Sequence, residues 1–149
     1  MIFNRRTEIC DYLVTQLKLI NGADYINGIV FTTNLFNNVY RRLKFIDQIN
    51  DFPAIYVSAG TEIRNFHTEN LTEANLSVTI RIYVYGEDNS QDQSNELIDD
   101  IEKLIYSIGD NPDKGILDIT IENITIDDGV GAPYGMAEVE LSITYRLEN

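Results

Sequence analysis

Between Leu76 and Tyr85 the chain alternates without a break: Leu76, Val78, Ile80, Ile82 and Val84 are apolar, with Ser77, Thr79, Arg81, Tyr83 and Tyr85 between them. A sustained period of two fits an extended strand, because successive strand side chains point to opposite faces of a sheet. One face of that sheet is therefore committed to a core and needs a cover. The sequence supplies one a few residues on. "GEDNSQDQ" breaks the strand, and from about Ser94 to Ile108 the residues Leu97, Ile98, Ile101, Leu104, Ile105 and Ile108 form the stripe of an amphipathic helix. Ser90 or Ser94 is placed to cap it, acids crowd its early turns where the helix dipole favours them, and Gly109 suits the position just past its end.

Other elements follow from the same two periods. Ile9, Leu13, Leu17 and Ile20, widened by Cys10 and Val14, predict a helix over roughly residues 5 to 20, stopped by Asn21-Gly22. Cys10 reads as a small buried hydrophobe. The β-branched and aromatic run from Ile26 to Phe36 predicts a strand, with Ile29, Phe31 and Leu35 in phase. Residues 37 to 52 are ambiguous between a loop and a short helix, since Val39, Leu43 and Ile46 have helical spacing while Asn37-Asn38 and Pro53 break it. "AIYVSAG" reads as a strand with Ile55 and Val57 inward and Gly60 ending or bulging it. "TEIRNFHTENLTE" is either an extension of that strand or a mobile hairpin loop.

"GILDITIENITID" and the segment through Leu147 make two final strands. In the first, Leu117, Ile119 and Ile121 lie in one phase and Ile124 and Ile126 in the other, which implies a bulge near Asn123. In the second, Val139, Leu141, Ile143, Tyr145 and Leu147 share a phase. The glycine-rich stretch between them closes a hairpin. The whole order predicts one α+β domain over residues 1 to 149, a mostly antiparallel sheet of four to six strands with two helices packed on one face.

Composition narrows the function classes. A chain of 149 residues buries about 70% of the surface it exposes unfolded and needs no staples, in keeping with a lone cysteine. No basic start followed by an apolar run opens the chain, and no window approaches the roughly 20 apolar residues of a membrane span. The three Asn-x-Ser/Thr triplets, at Asn70, Asn75 and Asn123, read as chance. A net charge of −13 argues against broad DNA binding, which needs clustered Lys and Arg. The charge is also uneven. Residues 1 to 45 carry six basic groups against three acids, a net +3, and residues 46 to 149 carry five against twenty-one, a net −16. Such polarity suits either attraction between copies or an ordinary solvated surface.

Catalytic readings find little support. A phosphate cradle needs glycines leading from a strand into a helix, whereas "GVGAPYG" leads from strand to strand behind Asp127 and Asp128, which repel anions. One histidine, His67, and one distant cysteine make no zinc site. Asp99-Asp100 and Asp127-Asp128 lack the spacing of a calcium loop and read as solvated carboxylates. No nucleophile has a base in motif company, and a carboxylate pair of glycosidase type is neither supported nor excluded. No cofactor is implied.

Binding surfaces are better represented. Arg81, Tyr83 and Tyr85 fall on the non-core face of the best strand, while Tyr40, Arg41, Arg42 and Lys44 form a compact basic-aromatic segment. Tyr and Arg are enriched at interface anchors, although they also occur on solvated sheets. The segment also suits a channel lining that meets nucleic acid or another ring.

The succession "DFPAIYVSAGTEIR", "LSVTIRIYVYGED", "NELIDDIEKLI" and "IDDGVGAPYGMAEVELSITYR" resembles the tail terminator, or tail completion, proteins of long-tailed bacteriophages, in an element order running from the first helix to Arg146. The resemblance implies a structural, non-enzymatic subunit of a ring, typically a hexamer, that caps the tail tube, stops its polymerisation and offers a docking surface to the head. Its implied partners are copies of itself, the tail tube protein and a head-tail connector or neck protein, with no membrane and with DNA only as cargo. Its implied place is the head-proximal end of the virion tail, after assembly in the host cytoplasm. Interface candidates are the segment from Tyr40 to Lys44, the segment from Thr61 to Glu69 with Arg64, the strand face of Arg81, Tyr83 and Tyr85, and the turn beginning at Asp127 and Asp128. The alternatives are a neck or head-tail connector ring and a small carboxylate-dependent enzyme.

Overall fold

The computed structural model describes residues 5–22, 25–26, 29–41, 45, 48–68, 71–86, 88–108, 115–127 and 133–148. In chain order these form α1 (Arg5–Leu17), the two-residue strands β1 (Tyr25–Ile26), β2 (Ile29–Val30) and β3 (Val39–Tyr40), the long strands β4 (Ala54–Thr68) and β5 (Leu71–Tyr85), α2 (Ser90–Ile108), β6 (Ile116–Ile126) and β7 (Tyr134–Glu148). Among the described residues β1 and β2 pair with each other alone, and the main sheet runs β3-β4-β5-β7-β6. Within it β3 is parallel to β4 and every other pairing is antiparallel. This is the expected α+β arrangement.

The alternating residues of β5 dictate the core. Leu76, Val78, Ile80, Ile82 and Val84 are all buried, together with Ile55 and Val57 of β4 and Val139, Leu141, Ile143 and Tyr145 of β7. Ile9, Leu13 and Leu17 of α1 and Leu97, Ile101, Leu104 and Ile105 of α2 join them in one cluster, so both helices cover the same face. Each such side chain contributes about 1.5–3 kcal/mol by leaving water. Cys10 lies in this cluster, where burial raises its thiol pKa and keeps it neutral. β5 and β7 pair along their whole length, from Leu71 opposite Glu148 to Tyr85 opposite Tyr134, and make the sheet's rigid centre.

Several boundaries differ from expectation for identifiable reasons. α1 ends at Leu17, and the turn tightens through i→i+3 bonds from Leu19 and Ile20 before Gly22 reverses the chain at φ 97°. α2 begins at Ser90 because Asn89 occupies the cap position, accepting from Gln93 N at 2.9 Å on its carbonyl and from Gln93 Nε2 at 2.9 Å on Oδ1. Ser90 and Ser94 are buried within the helix instead of capping it. Gly109 lies outside the described residues.

Residues 26 to 36 do not form one strand. Phe31 and Leu35 are buried as the pattern requires, but the amides of Thr32 and Thr33 donate to the Asp100 carboxylate at 3.1 and 2.7 Å, not to a neighbouring strand. Phe36 and Asn37 then turn the chain with φ of 50° and 63°, and Val39 and Tyr40 join β4 as a parallel edge, so this part of the ambiguous segment is neither loop nor helix.

"TEIRNFHTENLTE" proves to be strand: β4 runs on to Thr68 and β5 starts at Leu71. The β4–β5 ladder shifts register between Ala59 and Glu62: Val57 faces Ile80 and Ala59 faces Val78, but Glu62 faces Leu76, so a bulge holding Gly60 adds one residue to β4. β6 carries the expected bulge between Ile121 and Asn123 and a second between Ile116 and Asp118. The second turns Leu117 outward to 40% exposure, against its expected core phase, and buries Ile116 instead.

Candidate assembly surfaces

Four structural features stand out on or beneath the surface. The first is aromatic and lies on the sheet face away from the helices. Tyr40 stacks on Tyr56 with centroids 5.3 Å apart, and Tyr56 meets the edge of Tyr83 at 5.7 Å. Beside them Phe52, Tyr85 and Tyr134 form a second trio with separations of 5.3 to 6.0 Å. Tyr40, Tyr85, Tyr134 and Met136 each remain about two-fifths exposed. Arg81 closes this face by binding Glu138 across β5 and β7, Nε at 2.8 Å and Nη2 at 2.6 Å. Burial opposes the Arg81 charge, but bonds to Glu138 and Tyr83 outweigh it and raise the guanidinium pKa.

The second is a partly buried ionic knot made by the β4 bulge, with Glu62 largely covered and both its arginines half exposed. The extra residue flips the phase of β4, so Glu62 turns to the core side, where it accepts from the Tyr145 hydroxyl, from Arg64 Nε at 2.9 Å and from Arg6 Nη1 at 3.1 Å. Burial works against the carboxylate, yet the three donors lower its pKa. Burial and the bond to Glu62 push the Tyr145 phenol up to about 12.

The third is Asp100, fully buried in α2. Besides the two amides it accepts from Thr33 Oγ1 at 2.6 Å and lies 3.6 Å from Lys103 Nζ, fastening residues 32 and 33 to the helix. The fourth comprises the exposed tip of the β4–β5 hairpin, where Phe66 is 78% and Ile63 61% exposed, and the acidic outer face of α2, with Asp92, Glu96 and Asp99 exposed.

A surface of aromatic rings, an exposed hairpin tip and an acidic helix suits assembly better than turnover. The decisive comparison is a family model described as Bacteriophage Tail Tube Terminator Protein, which matches residues 3–149. The chain belongs to the phage tail tube terminator family. It is also similar to the tail tube terminator protein p142 of Escherichia phage T5, 27% identical over 158 aligned residues that span 96% of this chain and 94% of that protein. The protein is thus a structural, tail-terminating component of the phage virion tail.

In this terminator the residues singled out from sequence have varied fates. Tyr40, Arg81 and Tyr85 do lie together on the aromatic face. Tyr83 does not offer itself as an anchor: it is 2% exposed, packed with Ile49, Ala54 and Tyr56 in a second small cluster. Arg41 is drawn to α1, donating to Asp11 Oδ1 at 2.5 Å and Thr7 O at 3.2 Å. Arg64 is half exposed at the Glu62 knot. Asp127 is half buried and bonds through its amide to Met136 O at 2.9 Å, while Arg42, Lys44 and Asp128 lie outside the described residues.

Two expectations need correction. Asp99 is exposed as expected, but Asp100 is no solvated carboxylate; its place three residues after Leu97 and four before Leu104 put a charge on the apolar stripe, and that was the signal for it. The positive excess of the first 45 residues is partly spent within the chain, since Arg6 pairs with Glu62, whereas Arg41 pairs with Asp11 of the same segment and leaves that excess unchanged. In the glycine-rich turn, Gly129 and Gly131 lie outside the described residues. Gly135 serves close packing: a Cβ there would stand 2.7 Å from Val84 Cγ2 and 3.0 Å from Ser90 Cβ, where β7 passes the start of α2.

Proposed function

We propose that this protein acts as a single non-enzymatic domain, six copies of which close into a ring over the head-proximal end of the tail tube. There the ring stops tube polymerisation and presents the surface on which the head docks, with DNA passing through as cargo. The observation that carries the reading is the family match along nearly the whole chain. Supporting it, a ring joined head to tail needs two different patches on each subunit. The exposed aromatic face around Tyr40, Tyr85 and Tyr134 and the hairpin tip at Phe66 are surfaces available for contacts with other copies, the tube or the head. Arg42, Lys44 and Asp128 remain candidates for contacts with the tube or the head.

The test is electron microscopy of particles made without this protein. Tails of abnormal length are the expected result. Tails of normal length left unattached to heads would instead make it a connector subunit.

A further inference from the structure

We propose that the tip of the β4–β5 hairpin of one copy docks into an apolar groove at the opposite end of the same two strands in the next copy. The inference rests on the ring reading and adds to it the surfaces that join the subunits. The knob is Phe66, which projects with Arg64 from the helix side of the hairpin, opposite Thr72 and Ala74 respectively. On the helix side of the hairpin Arg64, with Arg6 of α1, meets the one carboxylate of Glu62, which leaves a local excess of one positive charge on the side from which Phe66 projects, while Glu73 lies on the other side.

The groove has a volume of about 210 Å³ and is lined by apolar Phe36, Pro53, Val84 and Leu97 together with polar Thr33, Asn34, Gln93 and Glu96. A cavity of roughly 150 Å³ accepts benzene, so one phenyl ring fits. Phe36 is 67% exposed at its rim, held in a left-handed turn at φ 50° by a bond from its amide to Asn34 Oδ1 at 2.8 Å. Glu96 supplies a negative rim, with Asp92 and Asp99 a turn away on the same exposed helix face. An aromatic knob with positive charge thus has a counterpart in an apolar hole with negative charge.

Position makes the partner a second copy. The groove lies beside Pro53 and Val84, where Ala54 pairs with Tyr83, and the tip lies where Thr68 pairs with Leu71. At about 3.3 Å per residue the strand between Ala54 and Thr68 spans about 45 Å, so a rigid subunit does not fill its own groove. A contact between two different surfaces propagates head to tail and forms a ring when its rotation closes.

The full-length protein tests this directly. Because Cys10 is buried, a Phe36→Cys/Phe66→Cys variant places two accessible thiols at opposite ends of one chain. Under mild oxidation it is expected to form covalent oligomers up to ring size, and neither single variant should pass the dimer. Arg64→Glu and Glu96→Arg should each weaken association about tenfold, with the paired exchange restoring it to within about threefold. Phe66→Ala, at an exposed tip, should weaken association by about tenfold or more without lowering the monomer's thermal midpoint. Rings that form normally with Phe66→Ala and give no cross-link overturn the inference and leave the ring reading standing. Cross-linking of Phe66→Cys to the tail tube protein in place of a second copy also overturns it. Monomers alone, with and without tube protein, defeat both readings.

Discussion

At the scale of single residues, Glu62 and Tyr145 decide how the hairpin is tied to the body. Glu62 sits just past a bulge, and its partners come from α1, β4 and β7, so one carboxylate fastens three elements. A hydrogen bond to a charged group contributes about 1.5–3 kcal/mol, and Tyr145→Phe removes one while keeping the ring that fills the core. We expect that variant to lose about 1.5–3 kcal/mol in urea denaturation at pH 7. The pH dependence follows from two shifts of opposite sense. Glu62 has its pKa lowered in the fold, so its contribution is present above the ordinary value of 4.5 and is lost as the pH falls through the folded value. Tyr145 has its pKa raised from 10.0 to about 12, so its contribution is present below pH 10.0 and is lost as the pH rises toward 12. Tyr145→Phe should therefore remove its share of the alkaline loss, leaving those of Cys10 and Tyr56, whose pKa values burial also raises, and make the acid loss shallower. An unchanged stability profile on both sides would show that the knot is not coupled to folding.

Among elements, those with an unbroken period were legible from sequence and those satisfied by distant partners were not. β5 and α2 declare themselves because their burial is one-sided and their neighbours continue on the same face. Residues 26 to 36 look like a strand because Phe31 and Leu35 keep their phase, but the partner that decides their backbone is Asp100, 68 residues from Thr32. Composition at short range carries no trace of that bond, although a carboxylate on the helix's apolar stripe does. Asp100→Asn keeps the shape and gives up the charge on a group serving two amides and a hydroxyl. It should cost about 1–3 kcal/mol, and hydrogen exchange at Thr32 and Thr33 should accelerate by more than at β5. Equal acceleration at both places would mean that the loss is global and that Asp100 does not hold the loop specifically. The Glu62 knot was hidden for a related reason: one inserted residue at Gly60 inverts the phase of β4, so that Glu62, Arg64 and Phe66 share a side that the run from Ala54 assigns to the opposite residues.

For the whole molecule, the controlling quantity is a charge of −13 on every copy. Copies brought together repel one another over long distances, and the opposing attraction is local because Arg6 and Arg41 are already engaged within the chain. Salt separates the two effects by range. The screening length falls from about 30 Å at 0.01 M to about 10 Å at 0.1 M, which removes repulsion between distant charges while a contact at a few ångströms keeps most of its strength. Association measured by sedimentation velocity should therefore tighten as salt rises from 0.01 to 0.1 M, by roughly tenfold on the scale of 1.4 kcal/mol per decade. At 1 M, where the screening length is about 3 Å, the ionic contact proposed for the hairpin arm weakens, and in the proposed ring the hydrophobic contact at Phe66 has to hold the copies together. Phe66→Ala should then show its largest deficit at the highest salt. Association that weakens steadily from the lowest salt upward would mean that attraction between opposite patches outweighs the net repulsion, and that the acidic surface as a whole draws the subunits together.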